Sequence, residues 1–194
     1  MKLSQNGMSL VEILIGLTIT SIVGFVLVGI ITSSNSFFID QTIKVDQGLS
    51  LNTSVREISD LIKSSGGVVS QYPISGAPQY QSGINVLVLK LPAISATEQV
   101  IDSVFDYAII VKEPIDSKVL RVKVFPDNLS SRKAINKVLS TSLETIKFLY
   151  LDTNNNQVSS SQAVRVNFII NLSDIDGLAD NESSSSGVVN IKNN

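Results

Sequence analysis

The fold turns on Gly7-Met8-Ser9-Leu10-Val11-Glu12 and on the apolar run behind it, Ile13 to Ile31. The run carries no charge and is rich in Ile, Leu, Val and Phe, diluted by Gly16, Thr18, Thr20, Ser21, Gly24 and Gly29. A helix needs about 20 mostly apolar residues to cross a bilayer core, and this stretch is of that length. Glu12 stands at its head. Charges of this kind cost about 2.5–3.5 kcal/mol at a bilayer centre on translocon scales. The cost is smaller at the membrane edge but still unfavourable, so a partner for Glu12 is expected.

Spacing says where that partner would lie. Glu12, Gly16, Thr20 and Gly24 recur at every fourth position, and on a helix each such step drifts by only about 40°. They form one slowly winding stripe. Small residues let a second helix backbone approach closely in a membrane, so Glu12 heads the face best suited to helix packing. The alternative is that Gly and Thr are simply frequent in membrane helices.

The outward half continues the helix. No proline interrupts the chain before Pro73. Leu51, Val55, Ile58 and Ile62, with Leu61 adjoining, follow helical spacing with one apolar face, and Arg56, Glu57, Asp60 and Lys63 fill the other positions. Ser64-Ser65-Gly66-Gly67 is the expected stop. A single helix from Ser9 to Ser65 would run roughly 85 Å, more than a compact soluble domain needs. Half of it fits lipid or a helical assembly, and half fits a globular head.

The head reads as strands. Those expected are Asn85–Leu91, closed by Pro92; Phe105–Lys112; Lys118–Phe125, with Leu120, Val122 and Val124 alternating against Val119, Arg121 and Lys123; Thr145–Leu151; Val164–Leu172; and Gly187–Ile191. Val68 to Ser82 reads as loop. Leu129 to Ser140 is ambiguous, with Ser131 placed to cap a short helix through Leu139. Asp152-Thr153-Asn154-Asn155-Asn156 reads as a hairpin loop, and Ser183 to Ser186 as a flexible one.

Composition narrows the chemistry. The 194 residues carry a net charge of −2 and include neither histidine nor cysteine. His- or Cys-based nucleophilic catalysis, Cys/His zinc sites and disulfides are therefore excluded. A pI near 5.1 gives no support to nucleic-acid binding. The serines lack a histidine base, and no S-x-x-K stands with the rest of its apparatus. Glu98, Asp102, Asp106 and Glu113 are close in sequence and read as solvated loop charge. Asp174, Asp176 and Asp180, around Gly177, are candidate ligands of a structural calcium, which wants six to eight oxygens. They lack the EF-hand's spacing and its closing glutamate. Turn chemistry is expected there, with no metal or cofactor.

A secretory signal would place a small-residue cleavage site after the apolar run, and Thr32-Ser33-Ser34-Asn35-Ser36-Phe37 supplies none. Lys2 before the run, with no basic residue until Lys44 after it, favours a cytoplasmic N-terminus. An uncleaved signal anchor has the same composition.

A short leader ending in Gly7, followed by Met8-Ser9-Leu10-Val11-Glu12-Ile13-Leu14-Ile15-Gly16-Leu17, resembles the type IV pilin superfamily. Leu143 to Asp152, the Asn-rich turn, Ala163 to Phe168 and the closing Val188 to Asn193 are similar to J-type minor pseudopilins and W-type minor pilins. The resemblance implies a pilin-like α+β fold, a long N-terminal helix packed on an antiparallel β-sheet head. Its parts would be a leader (1–7), a transmembrane assembly helix (8–31), an amphipathic extension (32–66) and a β-rich head (67–194). It implies cleavage after Gly7 by a prepilin peptidase and N-methylation of Met8. It also implies assembly through Glu12, Gly16, Thr20 and Gly24, with the Glu12 carboxylate facing a neighbour's N-terminal amine. The implied partners are other pilins or pseudopilins, an inner-membrane assembly platform and membrane lipid. The implied role is a non-enzymatic structural subunit of a type IV pilus, a type II secretion pseudopilus or a competence filament. Met8 departs from the commoner Phe, and Gly29 stands where many major pilins have a kinking proline. The rival expectation is a membrane-anchored extracytoplasmic binding protein that does not polymerise.

Overall fold

The computed structural model describes residues 9–77, 79–173 and 183–191, without the side chains of residues 40, 43 and 47. The architecture is α+β. Among the described residues one α-helix, α1 (Leu10–Ser64), precedes ten strands that are all antiparallel to their neighbours. The chain divides into two compact units, Met1–Val45 and Asp46–Asn194, with the boundary inside α1. The helix is unbroken at Gly29.

In the second unit α1 presents the expected face. Ile58 and Ile62 are fully buried, Leu51 nearly so, and Val55 and Leu61 pack at the margin. Full burial of such a side chain stabilises by about 1.5–3 kcal/mol. Ser54 lies on the same face, buried, with its hydroxyl shared between Ser50 O at 2.8 Å and Leu139 O at 3.0 Å. The helix stops as expected. Ser65 gives its N–H and its hydroxyl to Ile62 O, and Gly66 N–H turns to Lys90 O at 2.8 Å.

The strands are β1 (Gly67–Val68), β2 (Gln71–Tyr72), β3 (Tyr80–Gln81), β4 (Val86–Ile94), β5 (Val100–Lys112), β6 (Leu120–Phe125), β7 (Ile135–Ser140), β8 (Leu143–Leu151), β9 (Arg165–Leu172) and β10 (Ser183–Asn190). They form a five-stranded sheet in the order β1-β4-β5-β6-β7, a three-stranded sheet β10-β9-β8, and the ribbon β2-β3. The pattern of β6 is a clean alternation, and Leu120, Val122 and Val124 face the core as the spacing requires. β4 and β5 are apolar on both sides because both of their faces are covered. Leu87, Leu89, Ala108 and Ile110 join the main core, while Val88, Ile109 and Val111 form a second cluster under Val69, Tyr72, Tyr80 and Phe125.

Several sequence expectations are corrected. The stretch Val68 to Ser82 is not plain loop: its ribbon supplies Tyr72 and Tyr80, and Tyr72 stacks on Phe125 at 4.7 Å between ring centroids. Pro92 does not close its strand, because β4 continues to Ile94 through a register shift, a position where a strand tolerates proline. Ser131 caps no helix. Its hydroxyl donates to Ile94 O and Ser95 O, and Ile135 to Ser140, most of the stretch expected to be helical, forms β7 against β6. Ser183 to Ser186 is strand in continuous register with Leu172 to Ile169. Ladder bonds come from the backbone, so a serine run can extend a sheet that Val188 and Val189 begin.

Gly187 lies opposite Phe168 on that ladder. A Cβ at Gly187 would stand 2.6 Å from Phe168 Cζ and 2.8 Å from Cε1, and Phe168 is wholly buried. Gly187→Val is therefore expected to destabilise the protein by about 1–3 kcal/mol, the usual cost of overpacking. The urea midpoint of the full chain in detergent checks this, and an unchanged midpoint would mean that the ring does not fill that space.

Candidate functional site

The helix begins with a reciprocal cap. Ser9 N–H donates to Glu12 Oε2 at 2.9 Å, Glu12 N–H donates to Ser9 Oγ at 3.3 Å, and Ile13 N–H reaches Ser9 O at 3.3 Å. This is the capping box, in which Ser/Thr at the cap and Glu/Gln three residues on satisfy each other's backbone donors. A carboxylate in the first turn also suits the positive end of the helix dipole. Glu12 thus has a partner within its own chain, and the Ser9-x-x-Glu12 spacing is the sequence signal for it. Among the described residues no lysine or arginine pairs with it.

Below the cap the stripe is open. Gly16, Thr20 and Gly24 are exposed. Nothing lies within 4 Å of a Cβ built at Gly16 or Gly24. The hydroxyls of the run are turned inward on their own helix: Thr18 to Leu14 O, Thr20 to Gly16 O and Ser21 to Leu17 O, each at 2.8 Å, and Thr32 to Val28 O at 3.0 Å. A hydroxyl satisfied in this way needs no water, which is the condition for placing it in hydrocarbon. Large apolar side chains are bare along the whole run, Leu10, Leu14, Leu17, Ile22, Phe25 and Ile30 among them. Exposed Phe37, Phe38 and Ile39 continue the series, and the first charge after Glu12 is Asp40. By length and composition this one helix is long and apolar enough to cross a membrane, with a mean hydropathy of 2.5 in its most apolar window. Gly7 and Met8 lie outside the described residues.

The other candidates resolve differently. Asp174, Asp176 and Asp180 lie outside the described residues. The Asp152 turn is held by its own carboxylate, which accepts from Asn154 N–H and Asn156 N–H at 2.8 Å and from Asn156 Nδ2 at 3.1 Å. These bonds, the Asn156 N–H first, hold its pKa below the usual value. The expectation of solvated loop charge is overturned at Asp106 and Glu113. Asp106 is fully buried and pairs with Arg132 Nε at 2.7 Å, and Glu113 pairs with Arg121 Nε at 2.5 Å. No signal local in sequence marks Asp106, because Asp106 lies in β5 and Arg132 in the connection between β6 and β7.

No protein-family model matches this chain, and no curated protein matches its sequence.

Proposed function

We propose that this chain is a minor pilin or pseudopilin. It would be a structural subunit of a type IV pilus, a secretion pseudopilus or a competence filament, assembled through its N-terminal helix after cleavage between Gly7 and Met8. The observation that carries the proposal is the division of labour along α1: every large apolar side chain named above from Leu10 to Ile39 is bare, whereas Ile58 and Ile62 are wholly buried. A helix that needed only to anchor the head would not require an open stripe of Gly16, Thr20 and Gly24 under a carboxylate. In this reading the N-terminus is cytoplasmic, the head is extracytoplasmic, and the stripe receives a neighbour's helix while Glu12 meets a neighbour's amine. The Ser9–Glu12 cap favours a second reading, a non-polymerising anchored binding protein in which Glu12 serves only its own helix.

N-terminal sequencing of membrane-extracted protein tests the proposal. Mature chains are expected to begin at Met8. Gly7→Ala is expected to spare processing and Gly7→Trp to block it, because a membrane peptidase must approach this backbone closely. A wild-type chain retaining Met1, or a Gly7→Trp chain processed like wild type, would overturn the leader assignment.

A further inference from the structure

The uncharged part of α1 is longer than a bilayer core. No charge lies between Glu12 and Asp40, and large apolar side chains resume at Phe37-Phe38-Ile39 after the polar stretch Thr32 to Ser36. Ile13 to Ile31 spans about 28 Å along a helix and by itself matches a hydrocarbon core of about 30 Å. A bare span therefore has no need of Phe37, Phe38 and Ile39, yet they are 59%, 66% and 60% exposed.

Their arrangement indicates what would cover them. Consecutive helix positions are about 100° apart, so the three side chains face three sides of α1, and their exposures are nearly equal. A partner helix covers one stripe, whereas a collar of this kind calls for a surrounding apolar medium. The polar groups beside it are already satisfied within the helix. Thr32 Oγ1 donates to Val28 O and Gly29 O at 3.0 Å, and Ser36 Oγ to Ser33 O at 2.9 Å. Hydroxyls bonded in this way can stand at the edge of hydrocarbon.

Distance along the helix fits the same medium. Glu12 and Phe38 each lie about 20 Å from Phe25 along the axis, one on either side. A bilayer centred on Phe25 has its hydrocarbon edges at about 15 Å and its outer limits, headgroups included, at about 20–22 Å. Glu12 and the collar then fall in opposite headgroup layers, and Thr32 to Ser36 lies across the outer hydrocarbon edge.

We infer that Phe37, Phe38 and Ile39 form a lipid-binding collar at the headgroup–acyl boundary of the outer leaflet. The collar sets the depth of α1 and so holds Glu12 at the opposite interface. Helices that bind membrane surfaces bury phenylalanine at this same boundary. The inference rests on the reading of α1 as a membrane span and is independent of whether subunits assemble.

The chain has no tryptophan, so a single introduced one reports depth without background. Ile22→Trp and Phe25→Trp are each placed in the full chain and reconstituted in phosphatidylcholine vesicles whose acyl chains carry bromine at a deep or a shallow carbon. With the collar intact, Phe25→Trp is expected to be the more strongly quenched by deep bromine. In the combined Phe37→Ser, Phe38→Ser and Ile39→Ser background only Ile13 to Ile31 remains apolar, and that run is centred on Ile22. The helix should then move outward by about 4–5 Å, three residues' rise, and Ile22→Trp should become the more deeply quenched. The same order in both backgrounds would overturn the collar's part in setting depth. Phe38→Trp is expected to be quenched by shallow bromine. Its protection from both bromine and aqueous acrylamide would mean that protein covers the collar, and quenching by acrylamide alone would place it in water; either result overturns lipid binding. Absence of bromine quenching at both Ile22→Trp and Phe25→Trp would refute the membrane span itself, and the collar with it.

Discussion

Replacing Asp106 with alanine is expected to lower the stability of the head by about 3–5 kcal/mol, the usual penalty for removing one member of a buried ion pair. Asp106 sits within β5, fully buried, and accepts from Asp127 N–H at 2.8 Å, Ser130 Oγ at 2.8 Å and Arg132 Nε at 2.7 Å. Arg132 also donates through Nη2 to Pro92 O at 3.0 Å, beside the irregular end of β4. One carboxylate therefore ties the connection between β6 and β7 to both central strands. Alanine leaves a guanidinium, a hydroxyl and an amide without their acceptor; the Asp106 side chain is fully buried, while that of Arg132 is 30% exposed. Asp106→Asn is expected to be less severe but still destabilising, because its amide NH₂ would face donors. Arg132→Met on the wild-type background leaves a buried carboxylate unpaired. On the Asp106→Ala background the same change should cost far less, a coupling that a double-mutant cycle reads directly. Urea midpoints of the full chain in detergent give all four values. If Asp106→Ala shifts stability by less than about 1 kcal/mol, the scale of one ordinary hydrogen bond, the pair is not formed.

The Asp106 cluster also shows where the sequence was silent. Helical periodicity placed Leu51, Ile58 and Ile62 on one face, and strict alternation placed Leu120, Val122 and Val124, because these signals are local to a few turns or one strand. Asp106 reaches Arg132 and Ser130 across a strand pair and a loop, so nothing within its own window marks it as buried. The first half of β10 was hidden for another reason: serine side chains argue for loop, while the ladder that holds Ser183 to Ser186 is made by the backbone and by the neighbouring β9. Ser131 had the spacing of a helix cap, but tertiary acceptors at Ile94 and Ser95 claimed its hydroxyl. The N-terminal site was legible as a pattern and incomplete as chemistry. The apolar run, the stripe and Glu12 all stood out, yet Ser9 three residues before Glu12 supplies a second use for the same carboxylate.

One observed use, the cap, and one proposed use, between subunits, make Glu12→Gln the informative substitution. Glutamine serves a capping box as glutamate does, so the reciprocal bonds with Ser9 are retained while the charge is lost. Both partners of the cap follow Met8, so cleavage after Gly7 would leave it in place. Membrane insertion is expected to be slightly easier, since a neutral amide costs less in hydrocarbon than a carboxylate, and cleavage is expected to persist. Assembly is expected to fall sharply. A neighbour's amine would enter an apolar setting without its counter-charge, and losing one partner of a buried pair costs about 3–5 kcal/mol. Ser9→Ala is the complementary change. It weakens the cap by about 1 kcal/mol and keeps the charge, so incorporation should stay near wild type. Glu12→Ala loses both functions and should resemble Glu12→Gln in assembly. The measurement is co-purification of the mature subunit with filament fractions, or cross-linking to other subunits, for all three variants against wild type. The opposite ranking, with Glu12→Gln incorporated normally and Ser9→Ala and Glu12→Ala both defective, would assign the carboxylate to its own helix and remove the intermolecular pair. Normal incorporation of all three would leave neither the charge nor the cap a part in assembly, and the open stripe of Gly16, Thr20 and Gly24 would have to hold the subunits by packing alone.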